Sequence, residues 1–417
     1  MRRVAITGLG AVTPVGNTAR STWEALVQGR SGVGKITTFP SQELPIHIAG
    51  EVKDFDETLH IPRTRLRRYL SRGAKFGVSA FVQALDDAGS GIERYAPHER
   101  GVAIGCGVCL PDMQLISDMF HTIQESDGQR LPTYSPADVL VHSHNAGMAV
   151  MSMIGNCQGP MISMNMACTS SACAIGEAFR RIQDGEVKLM AAGGYDAMTA
   201  LIDVLGFALV GALTPQFVDE PARASRPFDR ERSGFVLGEG SVVMILEDWE
   251  SACERGATIY AELLGYGSSM NAYRITDSPP DGDGAVQAIG RALQDAGLSP
   301  DAIDYVAAHG TSTLGNDLSE TVALKRVFGD HAYRLAISSP KSMTGHLTAA
   351  AGALNLLTCI YALREQTVPP TINYEYPDPK LDLDYVPNHA RAQRVQVAMA
   401  NAFAFGGTNA VLIVRTA

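Results

Sequence analysis

Four things are scarce or missing in these 417 residues, and each removes a class of protein. No run of lysines and arginines offers a surface for nucleic acid, and the formal net charge is −10. No stretch of about 18 residues is apolar without polar interruption, so no membrane-spanning helix is predicted. Cysteines number seven, an odd count scattered along a long chain. That predicts reduced thiols in a cytoplasmic protein and excludes a disulfide framework. Charged residues make up only 19%, against 46% hydrophobic, which excludes a disordered chain. An acidic total still permits a local basic patch for an acidic protein partner.

Glycine, in contrast, is plentiful: 41 residues suit a fold of tight turns and close backbone approaches. The opening Val4-Ala5-Ile6-Thr7-Gly8-Leu9-Gly10 is too short and too broken for a signal peptide. It reads as a strand running into a Gly-rich turn. Strand-like and helix-like runs then alternate throughout, the α/β pattern. The predicted strands of the first half are Val4–Thr7, Val102–Gly105, Met161–Asn165, Leu189–Gly193 and Ser241–Glu247. Its predicted helices are Thr22–Val27, Arg67–Asp87, Leu115–Glu125, Asn145–Ile154 and Ala172–Gln183. The second half repeats the order with strands Ile259–Gly265, Tyr305–Ala308, Leu335–Ser338, Val395–Asn401 and Ala410–Val414. Its helices are Gly284–Ala296, Leu318–Phe328 and His346–Arg364. Each half opens on a strand ending in Gly-x-Gly, which points to a duplicated α/β unit divided as 1–256 and 257–417. The polar stretches Asp219–Ser233 and Tyr374–Arg391 read as surface loops.

Four junctions between a strand and the following helix or turn carry reactive or turn-forming residues. Cys168 stands in Ala167-Cys168-Thr169-Ser170-Ser171-Ala172, after an apolar run and before a helix-periodic one. A thiol at a helix start feels unpaired N–H groups and the positive end of the macrodipole, which favour thiolate. A buried structural cysteine is the ordinary alternative. His309 opens His309-Gly310-Thr311-Ser312-Thr313, followed by Asp317 and Glu320. Lys341 and His346 share Lys341-Ser342-Met343-Thr344-Gly345-His346. The last junction is Phe403-Ala404-Phe405-Gly406-Gly407-Thr408-Asn409. Sites in open α/β sheets form at the carboxyl ends of strands, so these four can converge. Cys106-x-x-Cys109 has redox spacing but no helix-start pattern beside it, and reads as pocket lining.

These four motifs, in this order, resemble the signatures of elongating β-ketoacyl-acyl carrier protein synthases. The resemblance runs nearly end to end and takes in Ser225-Arg226-Pro227-Phe228-Asp229 and Gly234-Phe235-Val236-Leu237-Gly238-Glu239-Gly240. It is to the FabF-like branch, which includes type II polyketide ketosynthase subunits. It implies the thiolase fold, a duplicated α/β unit in five α-β-α-β-α layers. It implies a decarboxylative Claisen condensation: Cys168 takes an acyl group, malonyl-carrier protein loses CO2, and a β-ketoacyl product leaves. By resemblance, His309 and His346 donate to the enolate oxygen, Lys341 orients the site, and the N–H groups of Cys168 and Phe405 form the oxyanion hole. Thr311 and Thr313 would hold the phosphopantetheine arm, and Val108 would line the acyl tunnel. Phe405 would act as its gate, beside Phe403, Gly406 and Gly407. Asp317, Glu320 and Asn355 would support Lys341. No permanent cofactor or metal is implied. The implied partners are acyl carrier protein and either a second copy or a chain-length factor.

Departures from the family pattern cluster near the substrate channel. Asn355 stands where Glu is common, Ala402 and Ala404 replace Ser and Gly, Cys109 and Leu110 replace glycines, and Leu314 replaces Pro. They point to a specialised acyl substrate. Two alternatives remain: a chain-length-factor-like partner subunit, and a coenzyme A-dependent thiolase-like acyltransferase. A chain-length factor typically lacks the nucleophile, and a thiolase pairs its Cys and His with a second Cys.

Overall fold

A computed structural model describes residues 1–42, 44–108, 113–130 and 136–417. Its frame is ten strands: β1 Val4–Val12, β2 Arg100–Cys106, β3 Met161–Met164, β4 Leu189–Asp196, β5 Gly240–Asp248, β6 Ala261–Met270, β7 Tyr305–Ala307, β8 Ala336–Ser338, β9 Val397–Phe403 and β10 Thr408–Arg415. They hydrogen-bond in the order β8-β7-β9-β10-β6-β1-β5-β4-β2-β3. Read outward from the centre, both halves have the same order: first strand, fifth, fourth, second, third. Directions repeat as well. In each half the second strand is parallel to the third and fourth, and the fifth is antiparallel to the fourth and first. The halves meet where β1 and β6 pair antiparallel through Val4–Leu263, Ala5–Glu262 and Ile6–Ala261.

Six helices complete the layers: α1 Arg72–Ala88, α2 His144–Gly155, α3 Ser170–Gln183, α4 Asp283–Ala296, α5 Leu314–Phe328 and α6 Ala351–Glu365. α1 and α2 cover the first half, and α4 and α5 cover the second. Between the halves lie α3 and α6, whose side chains share one core with strands of both. Ala351 through Leu363 are all buried. This is the five-layer duplicated arrangement that the resemblance implies.

The glycines of β1 explain the close packing of the outer layer. A Cβ on Gly8 would stand 2.1 Å from the Ala84 carbonyl oxygen, and one on Gly10 would stand 1.9 Å from that of Ala80. In β6, Gly265 and Gly267 meet Ala292 and Ala288 of α4 at 2.5 and 2.2 Å in the same way. The strands therefore run through Gly-x-Gly rather than ending there, correcting the sequence reading. These glycines let helix backbones approach the sheet.

Other expectations also change. Helix α1 starts at Arg72, not Arg67, because the Ser71 hydroxyl caps it by accepting from the Ala74 N–H. Helix α6 starts at Ala351, leaving His346 in the turn before it. The segment 219–233 is not a surface loop throughout. Ser225, Arg226, Phe228, Asp229 and Arg232 are buried, and Arg226 is 1% exposed between Asp229 and Glu375. Arg226 and Arg232 pair there with buried and half-buried carboxylates, while Arg230 stays exposed beside Glu231. In 374–391, Leu381, Leu383 and Tyr385 are buried against the second-half core, and Val386 against the central one. Helix Leu201–Leu209 was not foreseen. No helix among the described residues is long and apolar enough to cross a membrane.

Candidate active site

The strand ends converge as the sequence suggests. After β3 the chain turns sharply at Ala167, held at φ +47, and Cys168 follows in a short helical turn leading into α3. Ser170 braces this turn, its hydroxyl donating to the Ala167 carbonyl and accepting from the Met166 N–H. His309 follows β7. His346 lies beyond β8, after the short helix Lys341–Thr344. Atoms of Cys168, His309 and His346 all lie within 4.8 Å of one another. The two imidazole centroids are 5.3 Å apart, edge to face. Phe235 and Phe403 pack against them.

Burial sets the protonation of this group. Both histidines are pushed well below their ordinary value, first by desolvation and then by the charge of Lys341, so both are neutral near pH 7. The Thr348 N–H donates to His346 Nδ1 at 3.1 Å. His346 Nε2 therefore carries the proton. The Cys168 sulfur opens into a cavity yet lies deep within the protein. Desolvation pushes its thiol up to about 11, opposed by Lys341 and by the N–H groups of Phe405 and Cys168 itself, which point at the sulfur. The expectation of a resting thiolate is thereby corrected: desolvation outweighs the favourable helix-start position. Lys341 is buried, lowered to about 8 by desolvation, and its ammonium has no hydrogen-bond partner among the described residues. It stands behind the cavity wall.

The supporting acids hold backbone. Glu320 accepts from the N–H groups of His309 and Gly310 and from the Asn401 side chain. Asp317 accepts from the N–H groups of Thr311 and Phe228, with Arg232 at 3.8 Å. Burial raises both carboxyls. Asn355 does not bond Lys341. Its amide donates to the carbonyls of Ala308 and Asn401, tying the ends of β7 and β9 together.

A cavity of about 390 Å³ leads to the sulfur, lined by Val108, Phe207, Thr311, Thr313, Phe403 and Phe405 among others. The hydroxyls of Thr311 and Thr313 lie 2.9 Å apart. Gly406 and Gly407 lie behind this lining, in a turn at φ +83 and +81. There Gly406 donates to the Ile275 carbonyl, and the Asn271 N–H donates to that of Gly407. These two glycines thus shape the turn rather than the cavity wall. Ala404 sits in ordinary extended backbone, where alanine is unstrained. Cys106 is buried in the outer core with its sulfur 3.5 Å from His144 Nδ1, so it does not line the pocket. Cys109 and Leu110 lie outside the described residues.

Sequence reasoning missed Asp196, Arg232, Thr348 and Asn401. Asp196 ends β4 and lines the cavity. The same strand-end rule that found His309 would have found it.

Neutral imidazoles facing a sulfur flanked by two backbone N–H groups suit chemistry at a thioester. Such an arrangement offers a sulfur for attack, an N–H pair for an oxyanion, and the Nε2–H of His346 for a second developing charge.

The β-ketoacyl synthase N-terminal domain family matches residues 1–252, and the β-ketoacyl synthase C-terminal domain family matches residues 260–375. A 3-oxoacyl-[acyl-carrier-protein] synthase 2 from Synechocystis sp. is 43% identical over 99% of this chain and 97% of its own. A solved β-ketoacyl synthase from Burkholderia phymatum is 34% identical, with a TM-score of 0.90 over all of both chains. A type II polyketide ketosynthase, solved with its acyl-carrier protein and bound to the hexaketide, is 32% identical with a TM-score of 0.89. That match covers 100% of this chain and 99% of the other.

Proposed function

The chain belongs to the β-ketoacyl synthase family, and from that premise we propose how its own residues carry out the condensation. It is a β-ketoacyl-acyl carrier protein synthase, joining an enzyme-held acyl group to malonyl-carrier protein. The observation that carries the assignment of roles is the meeting of Cys168, His309 and His346 within 4.8 Å.

In this reading Cys168 attacks the thioester carbonyl of an acyl-carrier protein. The sulfur gives up its proton, and the departing phosphopantetheine thiolate takes one up. The N–H groups of Cys168 and Phe405 hold the oxyanion. Malonyl-carrier protein then enters. Its carboxylate leaves as CO2, and the bonding pair moves into an enolate whose oxygen accepts from His309 and His346. The enolate carbon attacks the acyl carbonyl on Cys168, and collapse releases the β-ketoacyl thioester and the sulfur. Thr311 and Thr313 offer hydroxyls to the phosphopantetheine arm, which the carrier delivers. Lys341 supplies fixed positive charge beside the histidines, and Val108 bounds the acyl pocket.

We read the protein as a dimer. Val108, Val139, Leu140, Met153 and Met161 are 48, 65, 49, 62 and 51% exposed, an amount of apolar surface suited to an interface. The sheet edge β3 presents Met161 and Ser163 to solvent. The pair is a homodimer or a heterodimer with a chain-length factor. The boundary between halves near residues 256 and 257 fits the gap between Asp248 and Ala261. The presence of the nucleophile disfavours the chain-length-factor reading for this chain itself, and the two-histidine set disfavours the thiolase one.

The test incubates the protein with a panel of acyl-carrier proteins of different primer length, then adds malonyl-carrier protein. Intact mass should show an acyl adduct on Cys168 and its discharge as a β-ketoacyl product. Loading from coenzyme A thioesters alone, with no use of malonyl-carrier protein, would favour a thiolase-like enzyme. Light scattering should give about twice the mass of one chain.

A further inference from the structure

Behind His346 lies a set of buried groups that the condensation itself does not use. Thr348 is a β-branched residue held at φ +43, in the left-handed region that such residues rarely adopt. A strained residue persists only where its surroundings over-determine it. Here the surroundings are Asp196. One carboxylate oxygen accepts from the Thr348 hydroxyl at 2.5 Å and from the Ala349 N–H at 3.1 Å. The other accepts from the Ala197 N–H at 3.0 Å. The carboxylate also fills the space beside Gly107, where a Cβ would come within 2.4 Å of it. Asp196 is 6% exposed and Thr348 5%. The strained turn so held presents the Thr348 N–H to His346 Nδ1. This contact makes Nε2 the protonated nitrogen.

We propose that Asp196 and Thr348 form a clamp that fixes the position and tautomer of His346, with Asp196 a positioning residue for malonyl decarboxylation. The proposal rests on the reading of His346 as a donor to the enolate. It crosses the molecule's halves: a carboxylate at the end of β4 in the first half orients a histidine of the second. Asparagine cannot replace it, since its amide would turn a donor toward Ala197 or toward Ala349. Valine at 348 keeps the shape of threonine but removes the hydroxyl that Asp196 holds.

Thr348→Val, Thr348→Ser, Asp196→Asn and the double variant Thr348→Val with Asp196→Asn provide the test. Acyl loading of Cys168 and decarboxylation of malonyl-carrier protein are measured separately. Loss of alignment at His346 should slow decarboxylation by about ten- to a hundredfold in Thr348→Val and Asp196→Asn. Loading should stay within about twofold, and Thr348→Ser should restore most of the rate. The double variant should be little worse than either single one, as members of one unit couple. Nitrogen-15 resonances of His346, assigned by their loss in His346→Ala, should show Nε2–H alone in the native protein and mixed tautomers in Thr348→Val. An unchanged decarboxylation rate and tautomer in Thr348→Val would overturn the clamp, as would equal loss of both half-reactions. Native-rate decarboxylation by His346→Ala would instead remove the enolate-donor reading, while the resonances would still decide the clamp.

Discussion

The two halves of this protein share strand order and strand direction, yet their equivalent positions carry different chemistry. The third strand of each half leads toward a helix of the central layer. In the first half that junction holds Cys168, open to the cavity. In the second it holds His346, buried and capped by Thr348. The second strand of the first half ends at Cys106 and Gly107, that of the second just before His309. The fourth ends at Asp196 in one half and at Phe403, two residues before Phe405, in the other. One frame thus supplies two sets of strand ends facing a common centre. In the proposed mechanism, bond exchange with the acyl group falls to the first half and charge stabilisation largely to the second. Duplication here gave complementary parts to one site rather than two copies of it.

That division can be broken by experiment. Cys168→Ala should abolish acyl loading and condensation, whereas Cys173→Ala, about a turn and a half beyond Cys168, should leave most of both. An acyl mass on Cys173 of the native protein would reverse the assignment. His309→Ala and His346→Ala should each slow malonyl decarboxylation by about 10²-fold, the scale of a lost oxyanion donor, with loading affected much less. Loading and decarboxylation falling equally would dissolve the proposed split between halves.

The resting state of the thiol sharpens the same comparison. A thiol raised to about 11 is protonated at neutral pH, and only thiolate alkylates. Iodoacetamide labelling of Cys168 should rise about tenfold between pH 7 and 8. The rise should slacken above pH 8, as Lys341, lowered to about 8, loses the charge that favours thiolate. A rate already level at pH 7 would restore the thiolate expectation. The smallest effect concerns the frame itself. Gly10→Ala and Gly267→Ala each force a methyl toward a helix carbonyl, at 1.9 and 2.2 Å. Both should lose about 1–3 kcal/mol by overpacking, read as matched falls in Tm. Loss in one half alone would mean the two packings are not equivalent.

Much of this was legible in the sequence because it rests on local pattern. Apolar runs located each strand of the ten-stranded sheet, though the first strand of each half stops five residues short, since strands buried on both faces are continuously hydrophobic. Four polar strand ends gave the site. What escaped depended on distant partners. The buried ion pairs of Arg226 and Arg232 read as surface charge, because most of their carboxylates lie far away in sequence: Glu375 joins the local Asp229 beside Arg226, and Asp317 and Asp378 lie beside Arg232. The thiol's protonation depended on burial, which no motif encodes. The strand-end position of Asp196 was legible, but its partners Thr348 and Ala349 lie about 150 residues away, so its contacts were not.

The pairing of β1 has a consequence for how the protein is made. All nine residues of this strand are buried, and its neighbours are β5, which pairs Asp248 with Val4, and β6, which pairs Leu263 with it. This strand therefore leaves the ribosome long before either neighbour it pairs with. At about 5–20 residues per second, synthesis of the missing neighbours takes roughly 12–50 s. For that time an apolar, unpaired strand has no native sheet to join. Nascent chains should be most prone to aggregate, and most in need of chaperone cover, until residue 248 or so is free. Release of a chain truncated just before β5 should yield insoluble protein, however well its cysteine junction is formed.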